Sequence, residues 1–478
     1  MDEHLRPEVN EPGGDTPAYE IPPGHVADAP TEPPEQAWAP LPDLTDLEPG
    51  VEPEPEPVQI DPVQTDPPPG EPELEPVAQE VHEVQEVHEV TVPTPPPGPS
   101  PTERRRRLAF GRKDESEKFS EPHSDRRVKK LVGLKIGASQ IAAARIHNNG
   151  APELVEAFRE PLEPGVVVSG EIRDVAALTS HLERFFELHK LPKKGVRLGI
   201  SNNRIGVRVF EIEGVTDARQ LENAIRFRAE EVLPIPLDEA VLDYVVLDDD
   251  VRADGTAVRR ILLVVAYREV VDRYLQACRA AGLEVVGIDL EAFALLRSLH
   301  APTEEPAVAG ALVAVAVGHD RTTIAVSTGR YCEFTRVLDW GGWSLNVAVA
   351  RELDLAPSEV ESIKRQLSFS EPVSVDGLTP EQAEKTHQAI QRALAAFARE
   401  LVASLHFYQA QPGALGIGEI VLTGGTGHMT GFSDAVGRLI GAPVRLGDPF
   451  RRVKVGKRVG HEDQAGSFAV AIGLGIED

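Results

Sequence analysis

From about residue 128 onward, apolar and polar positions follow two alternating rhythms. "LVGLKIG" (131–137) and "IAAARIH" (141–147) are short apolar runs on either side of a Gly-Ala-Ser-Gln turn, which predicts a hairpin. "ELVEAFREPL" (153–162) supplies a third strand. Across 174–191 apolar residues fall at helical spacing behind Asp174, a residue type that caps helix N-termini. "GVRLGIS" and "RIGVRVFEI" read as strands, and 221–232 as a helix stopped by "LPIP", where two prolines forbid continuation. Two strands follow ("AVLDYVVLDD", "RRILLVVAY"), then a helix that ends at Gly282. The strand "LEVVGIDLE" and the helix "EAFALLRSLH" close this half.

A second half opens at Ala307 and repeats the pattern. "ALVAVAVGHDRTTIAVSTGRYCEFTRVL" is again a strand, a glycine turn rich in polar side chains, a second strand, a short turn and a third strand. Helical patterns cover 344–366 and 380–411, followed by the strand "EIVLTGG", a helix over 431–440 and a small-residue helix, "SFAVAIGLG". Two halves built alike predict a duplicated α/β architecture, with the cleft between them as the natural ligand site. The apolar run from Ala307 to Gly318 is 12 residues, too short to cross a bilayer and better read as a buried strand.

Composition separates this part from what precedes it. Residues 1–100 hold 24 Asp and Glu, a single Lys or Arg, and 25 of the 41 prolines, so most of the net charge of −28 sits there. Such a segment cannot repay the entropy of ordering, and 1–127 is expected to be a disordered acidic Pro/Glu-rich tail. It reads as a solvated spacer or as a docking arm for a basic or polyproline-binding partner. A basic cluster at 104–113 fits an anionic surface or simple balance of the acidic tail. No stripe of Lys and Arg with interleaved aromatics follows, which argues against nucleic acid as a partner. Two cysteines, Cys278 and Cys332, form no disulfide framework, and Met1 opens no signal peptide, so a reducing cytoplasm is expected.

Three glycine turns follow apolar strands: Gly137-Ala138-Ser139-Gln140, Gly318 to Thr323, and Gly424-Gly425-Thr426-Gly427. Each alone commonly reverses a chain; their order is informative. It resembles the phosphate 1, phosphate 2 and adenosine motifs of the superfamily of actin, hexokinase and the heat-shock chaperones. Within it, "PLEPGVVVSGEIRDVAAL", "IRFRAEEVLPIPLDEAVLDYVVL", "GLEVVGIDLEAFALLRSL", "SEVESIKR" and "EIVLTGGTGHMTGFSDAVGRLIGAPVRLGDPF" resemble the type IV pilus assembly protein PilM family. The likeness spans about 128–476.

The resemblance implies an actin-like, ribonuclease-H-like duplicated two-domain fold with an extra small α/β subdomain. Its expected divisions are 128–205 for the first part of domain 1, 206–286 for the inserted subdomain, 287–305 for the return, and 306–478 for domain 2. It implies a cytoplasmic scaffold peripheral to the inner membrane of a bacterium, attached through partners. In that family a groove between the first subdomain and the small one holds the N-terminal cytoplasmic segment of a bitopic partner, PilN; a pilus assembly motor ATPase is a second partner. Position puts 196–212 and 225–244 in or near that groove.

ATP is the ligand such a cleft takes. Gly137, Ala138, Ser139 and Gln140 match the first phosphate hairpin; Gly318, Thr322 and Thr323 match the second. Glu361 and Lys364 match the pair that flanks ribose and base, although the same spacing suits an ordinary i,i+3 surface pair. Gly424, Gly425 and Thr426 match the adenosine turn. The pattern breaks two positions before each hairpin glycine. Where the superfamily usually carries an acidic or amide residue that orients Mg²⁺, this chain has Lys135 and Ala316. Protonated lysine does not ligate Mg²⁺, but it can meet a phosphate as a point charge. The pattern therefore disfavours Mg²⁺ and hydrolysis, and favours a binding scaffold. The alternatives are an active ATPase of the superfamily and a division or secretion-system actin homologue. A C-terminal basic amphipathic helix would support the latter, and "GIED" ends without one.

Overall fold

The computed structural model describes residues 128–215, 217–232, 236–252, 254–301, 310–329, 331–411, 413–457, 459 and 465–477. The expected tail, with its basic cluster, lies outside the described residues, as do 302–309 and the first three residues of "LPIP" (233–235).

Two sheets repeat one plan. The first contains β1 (Lys130–Ile136), β2 (Gln140–His147), β3 (Glu153–Pro161), β6 (Lys194–Ile200), β10 (Glu284–Leu290) and β16 (Lys454–Val455), in the order β10-β6-β1-β2-β3-β16. Strands β1, β2 and β3 run antiparallel, while β6 is parallel to β1 and β10 parallel to β6. The second contains β11 (Ala311–Val317), β12 (Thr322–Ser327), β13 (Cys332–Leu338), β14 (Ile417–Thr423) and β15 (Val444–Leu446), in the order β13-β12-β11-β14-β15. Its first three strands are antiparallel and its last two join in parallel. Apart from edge strand β16, the orders correspond strand for strand.

Strand β11 is buried at all seven positions because both of its faces are covered. Val313, Val315 and Val317 enter the core beneath α5 (Gly342–Leu353), α7 (Pro380–Gln409) and α8 (Phe432–Ile440). Leu312, Ala314 and Ala316 meet Leu295 and Leu299 of α4 (Glu291–Leu299) and Ala469 of α9 (Ala469–Gly475). In the first half α1 (Val175–Leu188) and α3 (Arg268–Ala280) bury Leu178, Leu182, Phe185, Tyr274 and Cys278 against the sheet. Asp174 caps α1 by accepting from the Ala177 N–H at 2.8 Å.

A third sheet, β7 (Ile205–Glu213), β8 (Ala240–Val251) and β9 (Ala257–Tyr267), has the antiparallel order β7-β9-β8. Its two-residue period sends Ile261, Leu263 and Val265 toward α2 (Ala218–Val232), and Leu262 and Ala266 toward the first half's core. Within the expected 206–286 subdomain, α3 packs on α1 and β10 pairs with β6, so these two elements stand with the first sheet. The C-terminal segment also crosses back. Strand β16 pairs with β3, and α9, whose Ala469 meets the second sheet, lies along β1, β2 and α4. Glycines permit this approach: a Cβ on Gly473 would stand 1.7 Å from the Ala294 carbonyl oxygen, and one on Gly133 2.0 Å from that of Ala471.

Short strands β4 (Val167–Val168) and β5 (Glu171–Ile172) form a small hairpin near the cleft; α6 (Glu361–Lys364) is a single turn on its far side.

Candidate functional site

The two sheets place their β-hairpins face to face across a cavity of about 310 Å³. Both hairpins close identically. The Gly137 N–H donates to the Gln140 carbonyl and the Gly318 N–H to the Arg321 carbonyl, each at 2.9 Å. Registers match too: Lys135 faces Ala142 as Ala316 faces Thr323. The third turn follows β14, where Gly424 has φ +88° and a Cβ would lie 2.3 Å from the Val317 carbonyl oxygen. Only glycine gives that positive φ and that close approach together. Thr426 then donates its hydroxyl to the Gly318 carbonyl at 2.8 Å, tying this turn to the second hairpin.

Twelve of the thirteen residues expected from sequence line this cavity: Lys135, Gly137, Ala138, Ser139, Gln140, Gly318, Thr323, Glu361, Lys364, Gly424, Gly425 and Thr426. Thr322 does not. It precedes Thr323 on β12, so strand alternation turns it the other way, where its hydroxyl donates to the Trp340 carbonyl at 2.8 Å. Thr323 instead lies with its hydroxyl 3.0 Å from that of Ser201.

Glu361 and Lys364 are no plain surface pair. Lys364 is buried and its ammonium stands 2.7 Å from the Glu361 carboxylate, which also accepts from Asn346 and Arg365, each at 3.0 Å. Burial works against the Glu361 charge, but these three donors outweigh it and hold the carboxyl below its usual range. Burial likewise draws the Lys364 ammonium down, only partly offset by Glu361. His319, on the second hairpin and 5.7 Å from the Trp343 ring, is drawn below its usual value by burial and by the Lys364 charge.

Two buried ionic residues in the cavity were not singled out from sequence. Glu291, the first residue of α4, is 2% exposed, and one carboxylate oxygen lies 3.2 Å from the Lys135 ammonium. Its other oxygen has no hydrogen-bond partner. Arg321, the last residue of the second turn, is 5% exposed, and its Nη1 is likewise without a partner. A signal for Glu291 did exist: it follows directly on β10, at the C-terminal end of a parallel strand, where α/β folds collect ligand-facing groups. Asp320, beside Arg321, turns away from this pair and accepts from the Ser169 N–H of the β4–β5 turn at 2.8 Å. The Ser169 carbonyl in turn accepts from Asn202 at 3.0 Å, and the Asn202 side chain accepts from the Arg204 N–H at 2.7 Å.

The family model for the type IV pilus assembly protein PilM matches residues 133–478. Among solved structures, a PilM-PilN type IV pilus biogenesis complex is 27% identical with a TM-score of 0.61, covering 73% of this chain and 98% of that one. The ethanolamine utilization protein EutJ from Carboxydothermus hydrogenoformans is 15% identical with a TM-score of 0.44, covering 74% of this chain and 91% of its own. MreB5 of Spiroplasma citri bound to ADP is 12% identical with a TM-score of 0.39, covering 72% and 95%. The duplicated fold is the actin-like one.

Proposed function

The chain belongs to the type IV pilus assembly protein PilM family, and on that premise we propose that it is an assembly adaptor that holds a nucleotide and a membrane partner's peptide, with weak or absent hydrolysis. One observation carries the nucleotide part: three glycine turns, far apart in sequence, meet on a single cavity between the two halves. The first two turns, Gly137–Gln140 and Gly318–Thr323, present the backbone N–H groups and hydroxyls that phosphates need. Glu361, Lys364 and Gly424–Thr426 form the end that would hold the nucleoside. Two residues of this wall, Glu291 and Arg321, each keep a buried polar atom without a partner (Oε1 and Nη1), as expected where a polar ligand completes the set.

Weak turnover follows from what flanks the phosphate end. Ala316 offers no polar atom, and the Glu291 carboxylate is engaged by Lys135. A carboxylate bound to an ammonium is a poor orienter of an attacking water.

The partner part rests on the family and on the small sheet. The solved relative is a complex of PilM with PilN; by the same logic this chain takes the N-terminal cytoplasmic segment of a bitopic inner-membrane protein. In that family the groove runs between the first subdomain and the small one, and on the face of the sheet β7-β9-β8 that Leu262 turns to the first half, Val245 of β8 remains exposed. No helix among the described residues is long and apolar enough to cross a membrane, so inner-membrane attachment would come through that partner. The test uses the purified protein in two assays, ATP turnover and fluorescence anisotropy with labelled N-terminal peptides of its pilus-cluster membrane proteins. Saturable binding of one peptide with turnover near background is expected. Robust Mg²⁺-dependent hydrolysis would remove the adaptor reading, and failure of every peptide would remove the partner.

A further inference from the structure

We propose that the phosphate end of the cleft is a metal-free polyphosphate site, in which Lys135 and Arg321 supply the positive charge that a divalent cation would otherwise bring. The inference rests on the nucleotide reading above and specifies how that nucleotide is held.

Mg²⁺ demands near-octahedral oxygen ligation and is usually held by one or two carboxylates together with phosphate oxygens and water. The carboxylates lining this cavity are Glu291, Asp320 and Glu361. Glu361 already accepts from Lys364, Asn346 and Arg365. Asp320 has one oxygen taken by the Ser169 N–H of the β4–β5 turn. Glu291 has one buried oxygen without a partner, and its other oxygen is held by Lys135 at 3.2 Å. A divalent cation on Glu291 would sit against that ammonium. The paired strand positions offer nothing further, being Lys135 in one hairpin and Ala316 in the other. Among the described residues, no group of three His, Cys, Asp or Glu stands close enough to hold a metal ion. The residues present do not fit Mg²⁺.

They do fit an anion. Lys135 is 21% exposed at its side chain, so its ammonium is within reach of a ligand in the cavity. Arg321 comes from the opposite hairpin, permanently charged and almost fully buried, with Nη1 unpartnered. Its guanidinium is wedged beneath Gly170, where a Cβ would meet Nη1 at 1.8 Å, so it is fixed before any ligand arrives. One cation from each hairpin on the cavity wall matches a chain of phosphates lying across the gap. The ligand class is a nucleoside di- or triphosphate recognised through its phosphates, and inorganic tripolyphosphate carries the same chemistry.

The experiment measures ATP binding to the full chain by calorimetry, once in excess EDTA and once in excess Mg²⁺. Affinity in EDTA is expected within about threefold of that in Mg²⁺. Binding that appears only with Mg²⁺ overturns the inference and leaves the nucleotide reading standing. Binding in neither buffer removes both. Lys135→Ala should weaken EDTA binding about tenfold. Lys135→Asp places a carboxylate beside Glu291 and should abolish EDTA binding while restoring it in Mg²⁺; EDTA binding as tight as wild type in this variant also overturns the inference. Thermal melts check that both variants fold, and tripolyphosphate competition separates phosphate recognition from nucleoside recognition.

Discussion

The two hairpins share their backbone and differ in where they carry charge. Each closes with the same N–H to carbonyl bond across four residues and the same strand register. In the first, the cation is Lys135 on the strand, and the turn's last residue is the neutral Gln140. In the second, the strand position is Ala316 and the cation is Arg321, at the place of Gln140. Ser139 of the first turn lines the cavity, whereas its counterpart Asp320 also binds the first half's Ser169. The two copies keep one backbone geometry and place their charge differently. Both line the cavity; the second also fastens the two halves together.

That contrast can be attacked at several points. The largest effect is expected from Arg321→Met, which strips the buried end of the Lys135, Glu291, Arg321 cluster and should cost about 3 kcal/mol in a urea melt. Lys135→Met, at the more exposed end, should cost clearly less; equal losses would break the idea that the second hairpin is the structural one. Next come the turn glycines. A Cβ on Gly318 would meet the Arg321 carbonyl oxygen at 2.9 Å, against 3.3 Å between Gly137 and the Gln140 oxygen. Gly318→Ala should therefore lose about 1–2 kcal/mol and Gly137→Ala well under that, by the same melt. The smallest effect concerns His319, whose counterpart is Ala138. Because burial and Lys364 lower its folded pKa, the unfolded chain takes up the proton first as pH falls below about 6.5. Stability declines over that window and levels off beneath the folded value. His319→Gln should flatten this part of a stability-against-pH curve, while Ala138→Gln leaves its shape unchanged.

Much of this was legible from residue pattern. The hairpins, the Asp174 cap and the duplicated order follow from local periodicity and turn chemistry, which the chain states residue by residue. The actin-like likeness named the three turns, and the cavity collects all three. What pattern could not show depends on which parts of the chain meet. Glu291 reads locally as the start of an amphipathic helix; only the parallel pairing of β10 with β6 sets it opposite Lys135. Arg321 reads as a solvated turn residue, and becomes a buried charge because Gly170 and Tyr274 close over it. Thr322 was one residue out of phase with the cavity, a distinction a two-residue period makes absolute. The C-terminal helix returns to the first sheet and α4 through close backbone contacts at Gly133 and Gly473, and a missing side chain leaves no apolar signature to follow.

The bond from Asp320 to Ser169 has a mechanical consequence. Ser169 holds Asn202, Asn202 holds the Arg204 backbone, and Arg204 immediately precedes β7. The second hairpin and the first strand of the small sheet are thus coupled in series by three short hydrogen bonds, like links on one drive chain. The hairpin cannot rotate about the floor of the cleft without pulling on that strand or parting a link.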